Sequence, residues 1–360
     1  MESICRRFRT DGEVISCVPY GNGHINETYL VTTNREQLYI LQKLNGYVFR
    51  DLPGVMRNVI AVTDHIRRKI TPPQQALTLI RTTDGLPYLS EDGNTVWRMY
   101  EFISGGITLE QAQTEEDFRH SAVAFGQFQN QLADFPAETL VETIPRFHDT
   151  PERYRQLRDA IDADAAGRGK TALPEIEGYL SREQEAGALI RLRDAGELPL
   201  RVTHNDTKLN NVMLDDVYHE PLCVLDLDTV MPGLVASDFG DAIRFGASTA
   251  AEDEQDLGKV QLSLPLFCAY TEGFLSQCGA RLTDKEIETL PFGAKLMTLE
   301  CGSRFLADYL NGDQYFRTKY PAHNLDRCRT QLRLAEDMER KWAEMNEIVR
   351  FCAESVHKGS

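Results

Sequence analysis

The sequence predicts an α+β fold of two lobes, with a small antiparallel β-sheet lobe over residues 1–103 and a mainly helical lobe over 104–360. Three observations predict it. Short apolar-polar runs separated by turn signals fill the first hundred residues. After Ser104-Gly105-Gly106 the apolar period lengthens to that of a helix. Between the helical stretches lies one polar segment, His204-Asn205-Asp206-Thr207-Lys208-Leu209-Asn210-Asn211, flanked by short extended runs.

Each element follows in order. Residues 14–20 form a strand that meets Gly21-Asn22-Gly23, and Asn-Gly between extended runs favours a hairpin. Residues 28–32 and 38–44 are the next strands. Over 53–69, Val55, Val59, Val62 and Ile66 recur at helical spacing, giving this lobe its one helix. Residues 77–82, 87–89 and 96–102 complete the sheet, and Ser104-Gly105-Gly106 is the hinge. Beyond it, Phe118, Ala122, Phe125, Phe128, Leu132 and Phe135 share one helical face, with Thr114 and Asp117 capping its start. Polar residues 159–171 end a helix and enter a loop. Short strands at 200–203 and 212–214 flank the polar segment, and 224–225 pairs with the second of them. Helices are expected over 262–277 and 290–310. Residues 325–356 read as one long terminal helix with Leu325, Cys328, Leu332, Met338, Trp342 and Met345 near one stripe.

At 360 residues the chain is long enough for two lobes, each with its own core. Apolar residues make up 42% and charged residues 26%, as in a soluble globular protein. No apolar run reaches the ~18 residues that span a bilayer, and Met1-Glu2-Ser3-Ile4-Cys5-Arg6-Arg7 leads into no apolar core that would make a signal peptide. The 39 basic and 55 acidic side chains give a net charge of −16. A surface that acidic repels phosphate backbones and anionic lipid, which argues against nucleic acid and membrane as partners. The eight cysteines are scattered with no C-x-x-C pair, which fits reduced thiols in the cytoplasm. A monomer or weak homodimer is the expected state.

The chemistry concentrates in the central segment. Its order is His, one residue, Asp, four residues, Asn, then a strand ending in Asp, which is the order of a phosphoryl-transfer loop in a fold of protein-kinase type. Asp206 is placed to orient an acceptor hydroxyl and take its proton late. Asn211, five positions on, offers a carboxamide oxygen to Mg²⁺, a hard cation that needs few protein ligands. Lys208 can neutralise charge on the moving phosphoryl group, and His204 holds the loop. Taken singly these are ordinary turn residues; their order carries the reading. The second metal carboxylate must end the strand that pairs with 212–214, which selects Asp226, 20 residues after Asp206. The more recognisable Asp238-Phe239-Gly240 lies 32 residues after Asp206, too far for a hairpin. Asp238 and Asp241 are expected to brace the loop, with Arg244, and Asp228 to assist the metal or its surroundings. Gly21 and Gly23 let backbone N–H groups approach nucleotide phosphates, although a plain hairpin turn explains them equally well.

With these residues in view the chain resembles the aminoglycoside-phosphotransferase and choline-kinase-like superfamily. Within it, the resemblance is to the N-acetylhexosamine 1-kinases. It rests on Pro19-Tyr20-Gly21-Asn22-Gly23-His24-Ile25-Asn26, Arg146-Phe147-His148-Asp149-Thr150-Pro151, the segment from Arg201 to Asn211, Asp238-Phe239-Gly240-Asp241 with Arg244-Phe245-Gly246-Ala247-Ser248, and Glu300-Cys301-Gly302 through Arg304 to Leu310. It implies ATP and Mg²⁺ as cofactors and a small sugar as partner, with transfer to the anomeric hydroxyl of GlcNAc or GalNAc. It implies Asp206 as base, Asn211 and Asp226 on the metal, and sugar contacts from His24, Asn26, Asp206 and Arg304 with Tyr315 nearby. In the wider superfamily a small-lobe Lys holds the phosphates; here Gln42 stands at that place, and Lys43 points to the other face because strand side chains alternate. The backbone from Tyr100 to Phe102 is expected to hold adenine. Two alternatives remain open: another hydroxyl acceptor such as choline, homoserine, methylthioribose or an aminoglycoside, for which Asp308 and Asp313 are candidate cation partners, or an inactive kinase-fold sensor.

Overall fold

A computed structural model describes residues 1–21, 25–91 and 95–359. Its first part is a five-stranded antiparallel sheet of β1 (Val14–Pro19), β2 (Glu27–Thr33), β3 (Leu38–Lys43), β4 (Leu89–Glu91) and β5 (Thr95–Glu101), in the order β1-β2-β3-β5-β4. Val31, Tyr39, Leu41, Trp97 and Met99 face one side and pack on Cys5 and Phe8, at and just past the short helix α1 (Glu2–Cys5). The alternate residues Val96 and Tyr100 face the other side and meet α2 (Leu52–Arg67), whose start is capped by Asp51 accepting from the Gly54 N–H at 2.9 Å.

Residues 77–82, expected as a strand, run beside β5 without joining the sheet as one. The Ile80 N–H donates to Met99 O at 2.8 Å and the Glu101 N–H to Thr78 O at 2.9 Å, but pairing ends there. The Gln75 N–H instead donates to Leu222 O at 2.8 Å, which draws this segment toward the helical part. The lobes also share apolar packing. Val55, Val59 and Val62 of α2 lie in one buried cluster with Phe128, Leu132, Val202 and Leu227, so α2 belongs to both halves rather than to a separate sheet-lobe core.

The helical part holds α3 (Glu115–Gln131), α4 (Thr150–Ala163), α5 (Leu173–Leu180), α6 (Ala188–Asp194), α7 (Val235–Gly246), α8 (Leu264–Cys278), α9 (Asp284–Leu310), α10 (His323–Arg340) and α11 (Trp342–Gly359). Between them run β6 (Gly106–Ile107), β7 (Arg201–Thr203), β8 (Val212–Asp215), β9 (Pro221–Val224) and β10 (Met231–Gly233). Thr114 and Asp117 form the capping box of α3 as the sequence predicts. The short helices α5 and α6 were not foreseen. Helix α9 starts earlier than position 290 because Thr283 and Glu286 build a capping box and Pro291 is absorbed inside the helix. The expected single terminal helix is two. Asp337 accepts from the Leu262 N–H at 2.7 Å and Lys341 Nζ donates to Leu262 O at 2.7 Å, tying the chain to the start of α8 where α10 ends.

Helices α7 and α9 cross at backbone contact. A Cβ on Gly240 would lie 2.3 Å from Gly293 O, and one on Gly293 would lie 2.1 Å from Ala236 O. Phe239 on α7 packs against Phe267, Tyr270 and Phe274 of α8, which fixes α7 in the largest buried cluster. No helix among the described residues is long and apolar enough to cross a membrane.

Candidate active site

The polar segment leaves β7 at Thr203 and turns at once, with Asn205 at φ 63°. Left-handed backbone suits asparagine, whose short amide bonds locally: its Nδ2 donates to Thr203 O at 3.1 Å and Thr229 O at 2.8 Å. Asp238, in the first turn of α7, accepts from the His204 N–H at 2.8 Å, the Asn205 N–H at 2.7 Å and Gln129 Nε2 at 3.1 Å. Thr207 Oγ1 donates to the Asp238 carbonyl at 2.6 Å. Asp238 therefore braces the loop from behind, and Arg244 pairs with Asp241 at 2.9 Å on the same helix. His204 is buried against Phe125 and Phe128. Its Nδ1 accepts from the Asp206 N–H at 3.3 Å, so Nε2 carries the proton given to Leu225 O at 2.8 Å.

These braces set the reactive side chains. Asp206 meets Lys208 Nζ at 2.7 Å through Oδ1 and accepts from Asn211 Nδ2 at 2.9 Å through Oδ2. Burial works against the Lys208 charge, but Asp206 and Asp241 more than offset it and hold its pKa above the usual range. Asn211 Nδ2 also donates to Asp206 O at 2.9 Å. With the amide nitrogen held twice, Oδ1 is the free end of Asn211 among the described residues, the end a hard cation needs. The Leu225 N–H donates to Asn211 O at 2.8 Å and Val212 pairs with Val224, which sets Asp226 beside Asn211. Asp226 sits at φ 51°, in a left-handed turn open to solvent. Crowding by surrounding protein, then the charges of Asp228 and Asp206, push it up to about 7, with Arg98 and Lys208 pulling the other way. In a solvent-open turn it is the like-charge part that a divalent cation relieves. The residues present thus fit a Mg²⁺ site of one amide and one carboxylate oxygen.

Asp228 takes no part in that ligand set. It is buried and ion-paired with the fully buried Arg98 of β5, whose Nη2 lies 3.0 Å from Oδ2. Arg98 Nε donates to Gln42 Oε1 at 3.0 Å, and Gln42 Nε2 donates to Thr28 Oγ1 at 3.1 Å. Gln42 is thus on the cleft face, as expected, while Lys43 lies on the opposite face with Glu27 at 3.4 Å and the Trp97 ring. Asn26, expected on the sugar, bonds within the protein: Nδ2 donates to Asp228 Oδ2 at 2.6 Å and Oδ1 accepts from the Asn45 N–H at 3.0 Å. Gly21 has φ 75° and open space where a Cβ would sit, whereas Gly23 and His24 lie outside the described residues.

The stretch expected at adenine is engaged within the sheet at its first residue. Tyr100 pairs with Ile40 on one side and Leu79 on the other, so its backbone is engaged inside the sheet. The Phe102 N–H donates to Leu38 O at 3.3 Å. The free polar backbone begins after it, from the Phe102 carbonyl through Ser104.

The residues expected at the acceptor lie on and around α9. Arg304 lies near the rings of Phe147, Tyr315 and Phe316, with its carbon 5.9, 5.6 and 5.4 Å from their centroids. One turn earlier, Glu300 accepts from Thr150 Oγ1 at 2.6 Å and meets His148 Nδ1 at 2.9 Å. His148 Nε2 lies 3.4 Å from Asn205 O, next to Asp206. Asp308 is already used, accepting from the N–H groups of Gln314, Tyr315 and Phe316 at 2.8, 2.8 and 2.9 Å and from Asn324 Nδ2 at 2.9 Å. Asp313 pairs with Arg168 at 2.6 Å.

Residues 16–270 match the model of the APH phosphotransferase enzyme family, more than half of the chain. The chain belongs to that family. Solved structures of low identity share the fold of this phosphotransferase. An aminoglycoside phosphotransferase from Alicyclobacillus acidocaldarius matches with 14% identity and a TM-score of 0.67 over 98% of this chain and 96% of that one. Amicoumacin kinase, solved with AMP-PNP and Ca²⁺, matches with 12% identity and a TM-score of 0.60 over 88% and 87%. A choline kinase from Cryptosporidium parvum matches with 14% identity and a TM-score of 0.56 over 95% of each chain. The fold is thus the protein-kinase-like one, with the antiparallel sheet before a mainly helical part. The family match ends before α9, so it covers the loop and the metal turn of the phosphotransferase but not Arg304 or Tyr315.

Sequence reasoning gave no role to Arg98, His148 or Glu300 of this phosphotransferase. A lone Arg in a strand carries no signal when its partner lies 130 residues away. His148 and Glu300 stood within segments that drew attention only as resemblance.

Proposed function

We propose that this phosphotransferase moves the γ-phosphoryl group of ATP to the anomeric hydroxyl of an N-acetylhexosamine, GlcNAc or GalNAc, giving the sugar 1-phosphate and ADP. The observation that carries it is the junction at His148. This side chain joins the segment 146–151, the loop at Asn205 and helix α9 at Glu300. Three of the five segments that resemble N-acetylhexosamine 1-kinases thereby meet at one side chain, which supports the reading.

Asp206 takes the role of base, orienting the sugar hydroxyl and accepting its proton late in a loose transition state. Lys208, held at Asp206, offsets charge on the transferred group. Asn211 Oδ1 and Asp226 would hold Mg²⁺, which supplies charge neutralisation to the phosphates when bound. Gly21 lies where backbone can approach the phosphates, and the backbone from Phe102 to Ser104 takes the adenine edge. Arg304 presents a planar fork of donors to sugar oxygens, which Lys cannot arrange, and the exposed Tyr315 ring beside it offers an apolar face to the pyranose.

A cationic acceptor is less well supported. Asp308 and Asp313 are spent on backbone N–H groups, Asn324 and Arg168, and the aromatic group that would cage an ammonium already surrounds Arg304. The deciding experiment incubates purified protein with ATP, Mg²⁺ and a panel of GlcNAc, GalNAc, choline, homoserine, methylthioribose and an aminoglycoside. ADP release and phosphorus NMR should report an acid-labile sugar 1-phosphate with the first two. Turnover with an amino alcohol alone would overturn the sugar reading, and no turnover with any would favour a sensor.

A further inference from the structure

Arg98 and its partners form a polar chain that starts and ends at the beginning of β2. From Thr28 on β2 it runs to Gln42 on β3, Arg98 on β5, Asp228 beyond β9 and Asn26 just before β2. Arg98 is fully buried, and it is the only cation on this face of β2, β3 and β5 among the described residues. Its guanidinium meets both oxygens of Asp228 and its Nε is spent on Gln42, so each of the three nitrogens makes a bond.

We propose that Arg98 is a positioning residue for the metal-receiving turn. By holding both oxygens of Asp228 it keeps that carboxylate out of the ligand set and fixes the left-handed turn two residues earlier, so that Asp226 alone faces Asn211. The loop holds the ends of this turn, through His204 Nε2 on Leu225 O at 2.8 Å and Thr229 Oγ1 on His204 O at 2.7 Å, and Arg98 holds the stretch between them through Asp228. Asp226 adopts φ 51° without a capping bond from its side chain. The Leu225 N–H bond to Asn211 anchors the residue before it, and the ion pair to Arg98 anchors the residue after Leu227. Removing the second anchor frees the turn to rotate and releases a third carboxylate beside Asp206 and Asp226. Asn26 ties the start of β2 to the same carboxylate.

The inference rests on reading Asn211 and Asp226 as metal ligands and not on the identity of the acceptor. The experiment is calorimetric titration of ADP with and without Mg²⁺, beside kcat and KM. Arg98→Met should weaken Mg²⁺-dependent ADP binding about tenfold or more, as loss of an outer support around a metal site does. Metal-free ADP binding and the acceptor KM should hold while kcat falls. Arg98→Lys, which keeps the charge but loses the fork, should recover part of the loss. Arg98→Met leaves Asp228 buried without its partner, so Arg98→Met/Asp228→Asn serves as the variant that folds without a stranded charge. It should keep the melting temperature near wild type and still show the weakened Mg²⁺ dependence. Wild-type Mg²⁺ affinity in the double variant or in Arg98→Lys would overturn the proposal, as would tighter metal binding in Arg98→Met. Asp226→Asn is the control: if it leaves Mg²⁺ binding unchanged, the metal reading fails and not the role of Arg98 alone.

Discussion

Asp206 shares its carboxylate between Lys208 and the Asn211 amide, which fixes the orientation it would offer an acceptor hydroxyl. Asp206→Asn keeps the shape and removes the base. Turnover should fall about 10²–10⁴-fold while acceptor binding persists, and steady-state kinetics with calorimetry checks both; unchanged turnover would remove Asp206 from its role. The His148–Glu300 pair gives a second residue-scale outcome. Burial lowers the His148 pKa, yet the Glu300 carboxylate more than offsets this and holds it above its ordinary value of 6.5. Burial raises Glu300, and His148 with Thr150 brings it below its ordinary 4.5. The raised His contributes stability below about pH 6.5 that is lost as pH climbs through its folded value. The depressed Glu contributes stability above about pH 4.5 that is lost as pH drops through its folded value. Glu300→Gln should therefore cost about 2 kcal/mol between those limits and less above them. Melting temperatures of both proteins from pH 5 to 8 test it, and a gap that stays flat would refute the ion pair.

Two helices decide whether the loop is held. Helix α7 presents Asp238 to the loop backbone, and its own position depends on the bare crossing at Gly240 and Gly293. Gly293→Ala sets a methyl 2.1 Å from the Ala236 carbonyl, so the helices must part. Overpacking of this kind costs about 1–3 kcal/mol. Because α7 carries the brace, turnover should drop with stability, and a variant equally stable and active would show the crossing to be loose. Much of this was legible in the chain. Strands β1, β2, β3 and β5, α3 with its cap, and the bracing of the loop by Asp238 followed from period and hairpin reach. What stayed hidden was set by distant partners. The break between α10 and α11 depends on Asp337 and Lys341 reaching Leu262, and an unbroken apolar stripe gives no sign of it. Asn26 was singled out only through the resemblance, and its bonds to Asp228 and Asn45 were hidden because those partners are remote in sequence or lie past a turn. Tyr100 was credited with free backbone because nothing local predicts its pairing to Leu79.

Across the whole molecule, α2 joins the sheet to the helical part through one buried cluster. The lobes should unfold as one cooperative unit. Thermal melting followed by near- and far-ultraviolet circular dichroism should give coincident transitions, and residues 1–103 alone should fail to fold. Two separated transitions would show the halves to be independent. The same layout separates giving from receiving. The turn at Asp226 hangs from the sheet through Asp228, and Arg304 hangs from α9 beyond the family match. His148 links the two sides where it touches the Asn205 carbonyl, and α7 crosses α9 behind it. Inheritance can therefore act on them apart. A lineage of such enzymes can exchange one acceptor for another by redrafting the outer turns of α9 and the segment around Phe147, while the donor half passes on unaltered.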